Sequence, residues 1–185
     1  MTFRHITRAV AIFSVLLATT LAIQAQDSER MVDRISKQVR KELVTLPFYS
    51  VFDNFQYKVS GDGEVTLLGQ VVRPTLKSSA ENVVKKIEGV TKVNNEIEVL
   101  PLSSNDDRIR LATYRAIYGH NALSPLSVRA VPPIHIIVRN GNITLEGVVA
   151  TSLEKQVAET QARSVPGSFQ VTNNLMVEQN EKGDS

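Results

Sequence analysis

One stretch of this chain occurs twice, and that repeat constrains the fold more than any other feature. Residues 63–99 align without a gap onto residues 141–177, with an offset of 78 and identity at twelve of the 37 positions. Many of the other pairs exchange like for like, as Val65 and Ile143 do. A repeat of this length corresponds to a small domain rather than to a solenoid unit, so the sequence predicts two tandem copies of one fold.

The first 25 residues are predicted to be a secretory signal peptide rather than part of the fold. Arg4 and Arg8 form a basic start, Ala9 to Ile23 runs without a charge, and cleavage is predicted after Ala25. The apolar run is short for a membrane crossing, which needs roughly 20 residues, although an uncleaved anchor is the alternative. We therefore expect a protein that is exported by this segment.

Without that segment the chain loses its apparent basic character. The full sequence carries 21 Lys and Arg against 19 Asp and Glu, and residues 1–25 hold Arg4 and Arg8 but no acid, which leaves 19 of each. A chain with equal numbers of basic and acidic residues has no overall electrostatic attraction for nucleic acid or an anionic surface. Such a partner must therefore bind a local patch of positive charge. The sequence contains no Cys, which excludes disulfide scaffolds, zinc–thiolate sites and cysteine enzymes.

Hydrophobic periodicity predicts one order of elements in both copies: helix, strand, strand, helix, strand. The predicted elements are a helix over 28–46, strands over 56–60 and 64–72, a helix over 75–88 and a strand over 92–100 in the first copy, and a helix over 106–118, strands over 134–139 and 142–149, a helix opened by a capping box over 151–154 and a strand over 169–178 in the second. The predicted fold class is α+β, with two tandem αββαβ modules, each a three-stranded mixed sheet with two helices packed on one face. The predicted domains are residues 27–101 and 105–178, followed by a disordered tail over 179–185.

Two pairs of repeated residues carry specific structural expectations. Gly69 and Gly147 are expected at the end of the second strand, where the chain turns close under a helix. Asn95 and Asn173 occupy the last strand, where Asn is unfavourable. We expect their side-chain amides to satisfy backbone groups near the strand edge.

The order of these motifs resembles the BON domain. The first copy carries Gly63-Glu64-Val65-Thr66-Leu67-Leu68-Gly69, Ala80, Glu88-Gly89-Val90 and Val93-x-Asn95-x-Ile97, and the second carries Asn140-Gly141-Asn142-Ile143-Thr144-Leu145-Glu146-Gly147, Ala158, Pro166-Gly167 and Val171-Thr172-Asn173-Asn174-Leu175. The resemblance covers nearly the whole chain after the predicted signal peptide, twice. It implies an exported protein of the periplasm or outer membrane, phospholipid or envelope binding, sometimes under osmotic stress, and no catalysis. Some relatives are lipoproteins, but this chain lacks the acceptor Cys, which favours soluble periplasmic residence.

No arrangement of side chains in the sequence predicts chemistry. His120 and His135 lie in different settings without the spacing of metal ligands, and the sequence has neither a nucleophile elbow nor a phosphate-binding glycine loop. Asp106 and Asp107 are interpreted as acids that suit a helix N-terminus. The element order faintly resembles KH domains, but the GxxG clamp is absent. We therefore predict no catalytic residue, no cofactor, no metal site and no nucleic-acid partner.

A basic stripe on the first helix is one candidate binding surface. Arg30, Arg34, Lys37 and Lys41 recur at helical spacing, opposite the apolar residues of that helix. Such a face could meet anionic head groups. The alternative is an ordinary solvated helix face, because Asp33 and Glu42 flank the stripe.

An aromatic cluster is the second candidate. Five aromatic residues fall within ten positions, and Phe48, Tyr49 and Phe52 lie in the connection after Pro47. These three could insert into a bilayer interface, or they could pack the two modules together, which is the favoured interpretation because modules this small gain from a shared core. The second copy has no such cluster, and its longer connection over 119–133 carries Arg129 and two prolines.

Two hypotheses of function follow. The leading one is a non-enzymatic periplasmic envelope protein that binds anionic phospholipid membrane surfaces and supports envelope integrity or stress tolerance. The alternative is a soluble protein-interaction adaptor that docks an envelope or secretion partner through a sheet edge or through the aromatic connection.

Overall fold

The structure is a computed structural model that describes residues 26–178. The predicted signal peptide over 1–25 and the predicted disordered tail over 179–185 lie outside the described residues. The chain forms two modules with the same order of elements, and the α+β class predicted from the sequence is confirmed.

Each module contains two helices and a small sheet. The first consists of α1 over 26–44, β1 Asn54–Val59, β2 Glu64–Val71, α2 Pro74–Val84, β3 Lys92–Asn95 and β4 Glu98–Val99, and the second of α3 Ser104–Tyr118, a 3-10 turn Ser124–Val128, β5 Ile134–Arg139, β6 Asn142–Val149, α4 Ser152–Arg163, β7 Gln170–Asn173 and β8 Met176–Val177.

The sheets are mixed, as the crossover through a helix predicts. In the first module β1 pairs antiparallel with β2, and β2 pairs parallel with β3 and β4. In the second module β5, β6, β7 and β8 repeat this arrangement. Since β3 and β4 occupy one position in the sheet, each sheet has three strand positions, with the central strand between an antiparallel and a parallel neighbour.

The helices bury one face against each sheet. In α1 the residues Ile35, Val39 and Leu43 are almost fully buried in the core of the first module. In α3 the residues Ile109 and Ile117 lie in the core of the second. Both α1 and α3 thus have an apolar stripe at helical spacing. Burial of that stripe stabilises each helix, so neither depends on the intrinsic helix propensity of its residues.

A repeated asparagine ties the last strand to the second helix in each module. The Nδ2 atom of Asn173 donates to the carbonyl oxygen of Lys155 and to the Glu159 carboxylate, both at 3.1 Å. Its Oδ1 atom accepts the N–H of Leu175 at 3.2 Å. The first module repeats these bonds with Asn95 as the anchor, which confirms the expectation that the amides satisfy backbone groups. The Lys, Glu and Asn of this clasp are among the positions that are identical in both copies.

The same asparagine explains why the predicted third strands are interrupted. Asn favours turns in which its side chain bonds to its own backbone two residues on, and both Asn95 and Asn173 do so. The strand predicted over 92–100 therefore consists of β3 and β4, and the one predicted over 169–178 of β7 and β8.

Gly69 and Gly147 have a different role from the one expected. Both lie inside the central strands β2 and β6 and not at a turn. Their φ angles are 104° and 122°, and a Cβ atom would lie 2.0 Å from the carbonyl oxygen of Asn54 or Pro133 on the neighbouring chain segment. Only glycine allows this backbone conformation and this approach, so the two glycines let the backbone at the start of β1 and just before β5 lie close against the central strands.

We predict that Asn173→Ala lowers the free energy of unfolding by about 2 kcal/mol, because the substitution leaves partly buried backbone groups without their bonds. The adjacent Asn174→Ala is the matched control, since exposed Asn174 makes a single bond to Glu146. Urea denaturation of both variants measures the difference. Equal losses in the two variants would show that the clasp does not stabilise the module.

Candidate functional site

The connection between α1 and β1 is folded by a buried carboxylate. Asp53 is 1 % exposed, and its Oδ2 atom accepts the backbone N–H and the hydroxyl of Ser50 at 3.1 and 2.8 Å. Its Oδ1 atom accepts the N–H of Val72, just after β2, at 2.8 Å. Because one side chain holds both ends of this short turn to the sheet, the backbone between residues 50 and 53 has a fixed position.

That fixed turn joins the first module to the second. The backbone N–H of Ile136, in the edge strand β5, donates to the carbonyl oxygen of Val51 at 2.7 Å. Phe52 packs against the core of the second module, where its ring meets Tyr114 edge-on with 6.2 Å between the centroids. We refer to residues 49–53 and their partners on the second module as the junction.

The rest of the outer edge of β5 is covered by side chains of α3. The Tyr118 hydroxyl donates to the carbonyl oxygen of Ile134 at 2.7 Å and accepts the N–H of the same residue at 3.1 Å. Buried Arg110 donates to the carbonyl oxygen of Val138 at 2.7 Å. Ile134, Ile136 and Val138, which are alternate residues of β5, thus have their edge groups bonded to Tyr118, Val51 and Arg110 in turn. These bonds block the addition of another strand at this edge.

A second contact between the modules lies on the outer face of the second sheet. Arg139 forms an ion pair with Glu98 of the first module, with 2.8 Å between nitrogen and oxygen. Leu100 of the first module and Ile137 of the second line one shallow gap beside that ion pair, and both are nearly buried. The ion pair is exposed and is worth at most about 1 kcal/mol, so apolar contact dominates this side.

Between the two modules lies a cleft of about 480 Å³, within the size range of ligand sites, which also favour domain interfaces. Its apolar walls come from α1, the junction and β1 of the first module, and from the long connection and β6 of the second. The residues of these walls are Leu43, Val44, Tyr49, Phe55 and Tyr57 on one side, and Leu126, Val131, Pro132, Pro133, Val148 and Val149 on the other. The connections in which the two copies differ therefore meet at one site.

Charged side chains lie around the same cleft. Arg40 of α1 and Arg129 of the long connection contribute two exposed guanidinium groups, and Glu178 contributes one carboxylate. Within residues 26–178 neither arginine forms an ion pair. The charges around the cleft thus favour an anion.

His135 forms part of the cleft wall and is held as a neutral ring. It is 9 % exposed, its ring stacks on Tyr49 with 5.7 Å between the centroids, and its Nε2 atom lies 3.5 Å from the Tyr49 hydroxyl. Burial lowers the pKa of His135, although the nearby backbone and charge of Asp53 oppose that shift. Burial also raises the pKa of the Tyr49 phenol. The Nδ1 atom of His135 is buried without a hydrogen bond of ordinary geometry.

The predicted basic stripe lies where the sequence placed it, on the exposed side of α1. Arg30, Arg34, Lys37 and Lys41 are all exposed. Three of them face carboxylates: Arg30 lies 3.8 Å from Asp27, Arg34 lies 3.8 Å from Glu88, and Lys37 lies 2.7 Å from Asp33. The stripe therefore presents cations whose charge is partly balanced by its neighbours.

The three aromatic candidates have different environments. Tyr49 and Phe52 contact the second module, as the favoured interpretation of the cluster predicts. Phe48 remains 69 % exposed, with its ring under the guanidinium of Arg73 at 4.8 Å. Its φ of 69° is unusual for a residue that is not glycine. Phe48 is therefore the exposed aromatic of the three.

Sequence reasoning missed the residues that shape the cleft. Arg40 lies beside the basic stripe rather than in it, and a lone carboxylate in a loop, such as Asp53, has no distinctive sequence pattern. Arg129 and the prolines of the long connection distinguish the two copies, but no sequence pattern places them against the aromatic cluster. One sequence feature relates the two connections: each follows the first helix of its module, and the two differ in length and composition.

Residues 26–178 contain no group of three or more His, Asp or Glu side chains placed to hold a metal ion. None of their helices combines the length and the hydropathy that a membrane crossing needs.

The model of the BON domain family matches residues 32–101 and 120–179. The chain belongs to the BON domain family. This confirms the resemblance and the tandem arrangement. The second match begins after α3, yet Ile109 and Ile117 of that helix lie in the core of the second BON domain, so the structural unit is longer than the matched segment.

No curated protein matches the sequence. A solved structure of CdsD, a structural protein of the type III secretion system of Chlamydia trachomatis, is similar at 13 % identity and a TM-score of 0.31, over 81 % of this chain and 95 % of that chain. The C-terminal domain of CdsD is similar at 13 % identity and a TM-score of 0.28, over 77 % and 96 %. Both TM-scores are too low to extend any property of CdsD to this protein.

We predict that His135 makes the junction between the two BON domains sensitive to acid. Because burial lowers its pKa, the unfolded chain binds the proton more tightly than the folded chain. The stability contributed by the neutral ring is complete above the ordinary pKa of about 6.5 and is lost as the pH falls below it. Urea midpoints should therefore fall between about pH 7.5 and about pH 5.5 in the wild type.

The variant His135→Phe keeps a ring against Tyr49 and removes the titration, so its midpoint should fall less over the same interval. The matched control is His120→Phe in the loop after α3, where the ring is partly exposed, and it should behave as the wild type. An unchanged acid dependence in His135→Phe would refute the role of this ring.

Proposed function

We propose that this protein is a non-enzymatic periplasmic envelope protein that binds anionic phospholipid membrane surfaces and supports envelope integrity or stress tolerance. Membership of the BON domain family supports this proposal, because the family is associated with membranes and phospholipid. The proposed route of export is the signal peptide predicted over residues 1–25.

The observation that carries the proposal is the orientation of α1. The helix buries Ile35, Val39 and Leu43 in the core and leaves Arg30, Arg34, Lys37 and Lys41 exposed on the other side. A helix that is anchored in this way can lie along a membrane surface without unfolding. Lys and Arg near an anionic leaflet contribute about 1 kcal/mol each, so four cations are sufficient for reversible association.

The carboxylates beside the stripe set the strength and the salt dependence of this binding. Asp27, Asp33 and Glu88 are themselves exposed, so each existing pair is weak in water. An anionic lipid head group can compete with such a carboxylate for the same cation. Binding should therefore be moderate at low salt and should weaken as salt screens exposed charges.

The adaptor alternative has less support, because two of its surfaces are used within the chain. The outer edge of β5 is covered by Val51, Tyr118 and Arg110. Tyr49 and Phe52 of the aromatic connection contact the second module. Phe48 alone of the three remains mostly exposed, which is a small surface for a protein partner.

We predict that the protein cosediments with phosphatidylglycerol vesicles at low salt and much less at high salt or with phosphatidylcholine vesicles. The quadruple variant Arg30→Gln, Arg34→Gln, Lys37→Gln and Lys41→Gln should bind phosphatidylglycerol vesicles at least about tenfold more weakly, because it loses the electrostatic attraction of four cations.

The matched control carries the same loss of charge elsewhere: Lys58→Gln, Lys92→Gln, Arg115→Gln and Arg163→Gln, all at exposed positions. It should bind nearly as well as the wild type. If both quadruple variants lose binding equally, net charge and not the α1 surface is responsible. If the wild type does not bind at low salt, the proposed function is wrong.

A further inference from the structure

We propose that the cleft between the two modules is a binding site for one single-chain anionic amphiphile, a molecule with one acyl chain and a carboxylate or phosphodiester head group. This goes beyond the proposed function, because a ligand held in a cleft between modules is distinct from a membrane surface that lies along α1. The cleft needs both modules, whereas the basic stripe belongs to the first alone.

The walls of the cleft fit an acyl chain. Leu43, Phe55 and Tyr57 of the first module face Pro133 and Val148 of the second across about 480 Å³. Val44 and Val148 are each 41 % exposed and line the same cleft. Apolar side chains left open to water inside a concave site favour a ligand that covers them.

The polar groups of the cleft fit an anionic head. Arg40 and Arg129 approach from opposite modules, and neither is paired with a carboxylate within the described part of the chain. Among the described residues that line the cleft, Glu178 is the single acid, so these residues carry one positive charge in excess with His135 neutral. Guanidinium groups bind carboxylate and phosphate oxygens through parallel hydrogen bonds, which an uncharged head group does not offer.

The cleft is also rigid on the side that would meet the ligand. Tyr49 stacks on Phe55 with 5.1 Å between the centroids and on His135 with 5.7 Å. The turn that carries Tyr49 is held by Asp53. Since these contacts exist before any ligand enters, the site does not need to be assembled by binding, which lowers the cost of association.

The experiment is a fluorescence titration of the full chain with dansylaminoundecanoic acid, whose emission rises in an apolar site. The wild type should show saturable binding of one probe per chain. The double variant Arg40→Gln and Arg129→Gln should bind the probe at least about tenfold more weakly, because it loses two charge-assisted contacts. Its matched control, Arg115→Gln and Arg163→Gln, removes two exposed arginines outside the cleft and should bind as the wild type does.

Competition identifies the head group. Dodecanoate and lauroyl lysophosphatidylglycerol carry similar chains on different anions, and displacement by either supports the proposal and assigns the anion. Dodecyl maltoside carries a neutral head and should compete at least about tenfold more weakly. Displacement by neither anion, or equal displacement by the maltoside, overturns the proposal.

A second variant separates the cleft from the membrane surface. Val148→Trp adds bulk at a partly exposed wall position of the cleft, so it should abolish binding of the probe while it leaves cosedimentation with phosphatidylglycerol vesicles unchanged. Unchanged probe binding in Val148→Trp, with a wild-type circular dichroism spectrum, overturns the proposal. If the wild type binds the probe but not the vesicles, the proposed function fails and the cleft proposal stands.

Discussion

The junction is the constraint on which the rest of the structure depends. One backbone hydrogen bond, from Ile136 to Val51, and the aromatic contacts on either side of it fix the two modules relative to each other. A module of this size buries a modest core by itself. Without the junction, Phe52 and His135 would be exposed to water and the N–H of Ile136 at the edge of β5 would lose its partner. The cleft and the neutral histidine are therefore consequences of one contact.

The internal repeat separates what specifies the fold from what specifies a site. Positions that are identical in both copies include the asparagine clasp and the glycines of the central strands. The parts that differ are the connections after the first helix of each module: a short one with aromatic residues and Asp53, and a long one with Arg129 and prolines. These two connections meet across the cleft. The two modules share one fold. The connections in which they differ together form the cleft, which neither module has alone.

The sequence predicted those parts of the fold that depend on local pattern. The order of elements, the mixed sheets and the role of Asn95 and Asn173 followed from periodicity and from the poor fit of Asn in a strand. It placed Gly69 and Gly147 at a turn, although an isolated glycine inside a strand pattern also indicates a close approach of another backbone segment, which is what the structure shows. The break after Asn95 is not predicted, because Val93, Ile97 and Val99 continue an alternating apolar pattern across it.

The candidate site was only partly predictable. Phe48, Tyr49 and Phe52 were found as a cluster, but the same residue types in one loop do not show which ring is exposed. The backbone decides this: Phe48 adopts a positive φ and points to solvent, whereas Asp53 holds Tyr49 and Phe52 against the second module. Arg40 lies far from Arg129 and His135 in the sequence, so their shared cleft depends on the relative placement of the two modules, which no local sequence pattern shows.

The junction holds the two modules as one body. Backbone amide residual dipolar couplings of the full chain in a weakly aligning medium test this arrangement, because they report the orientation of each module independently. We expect the couplings of both modules to fit a single alignment tensor with the orientation described above. Two tensors of different magnitude, one for each module, would mean that the modules reorient independently and would contradict it.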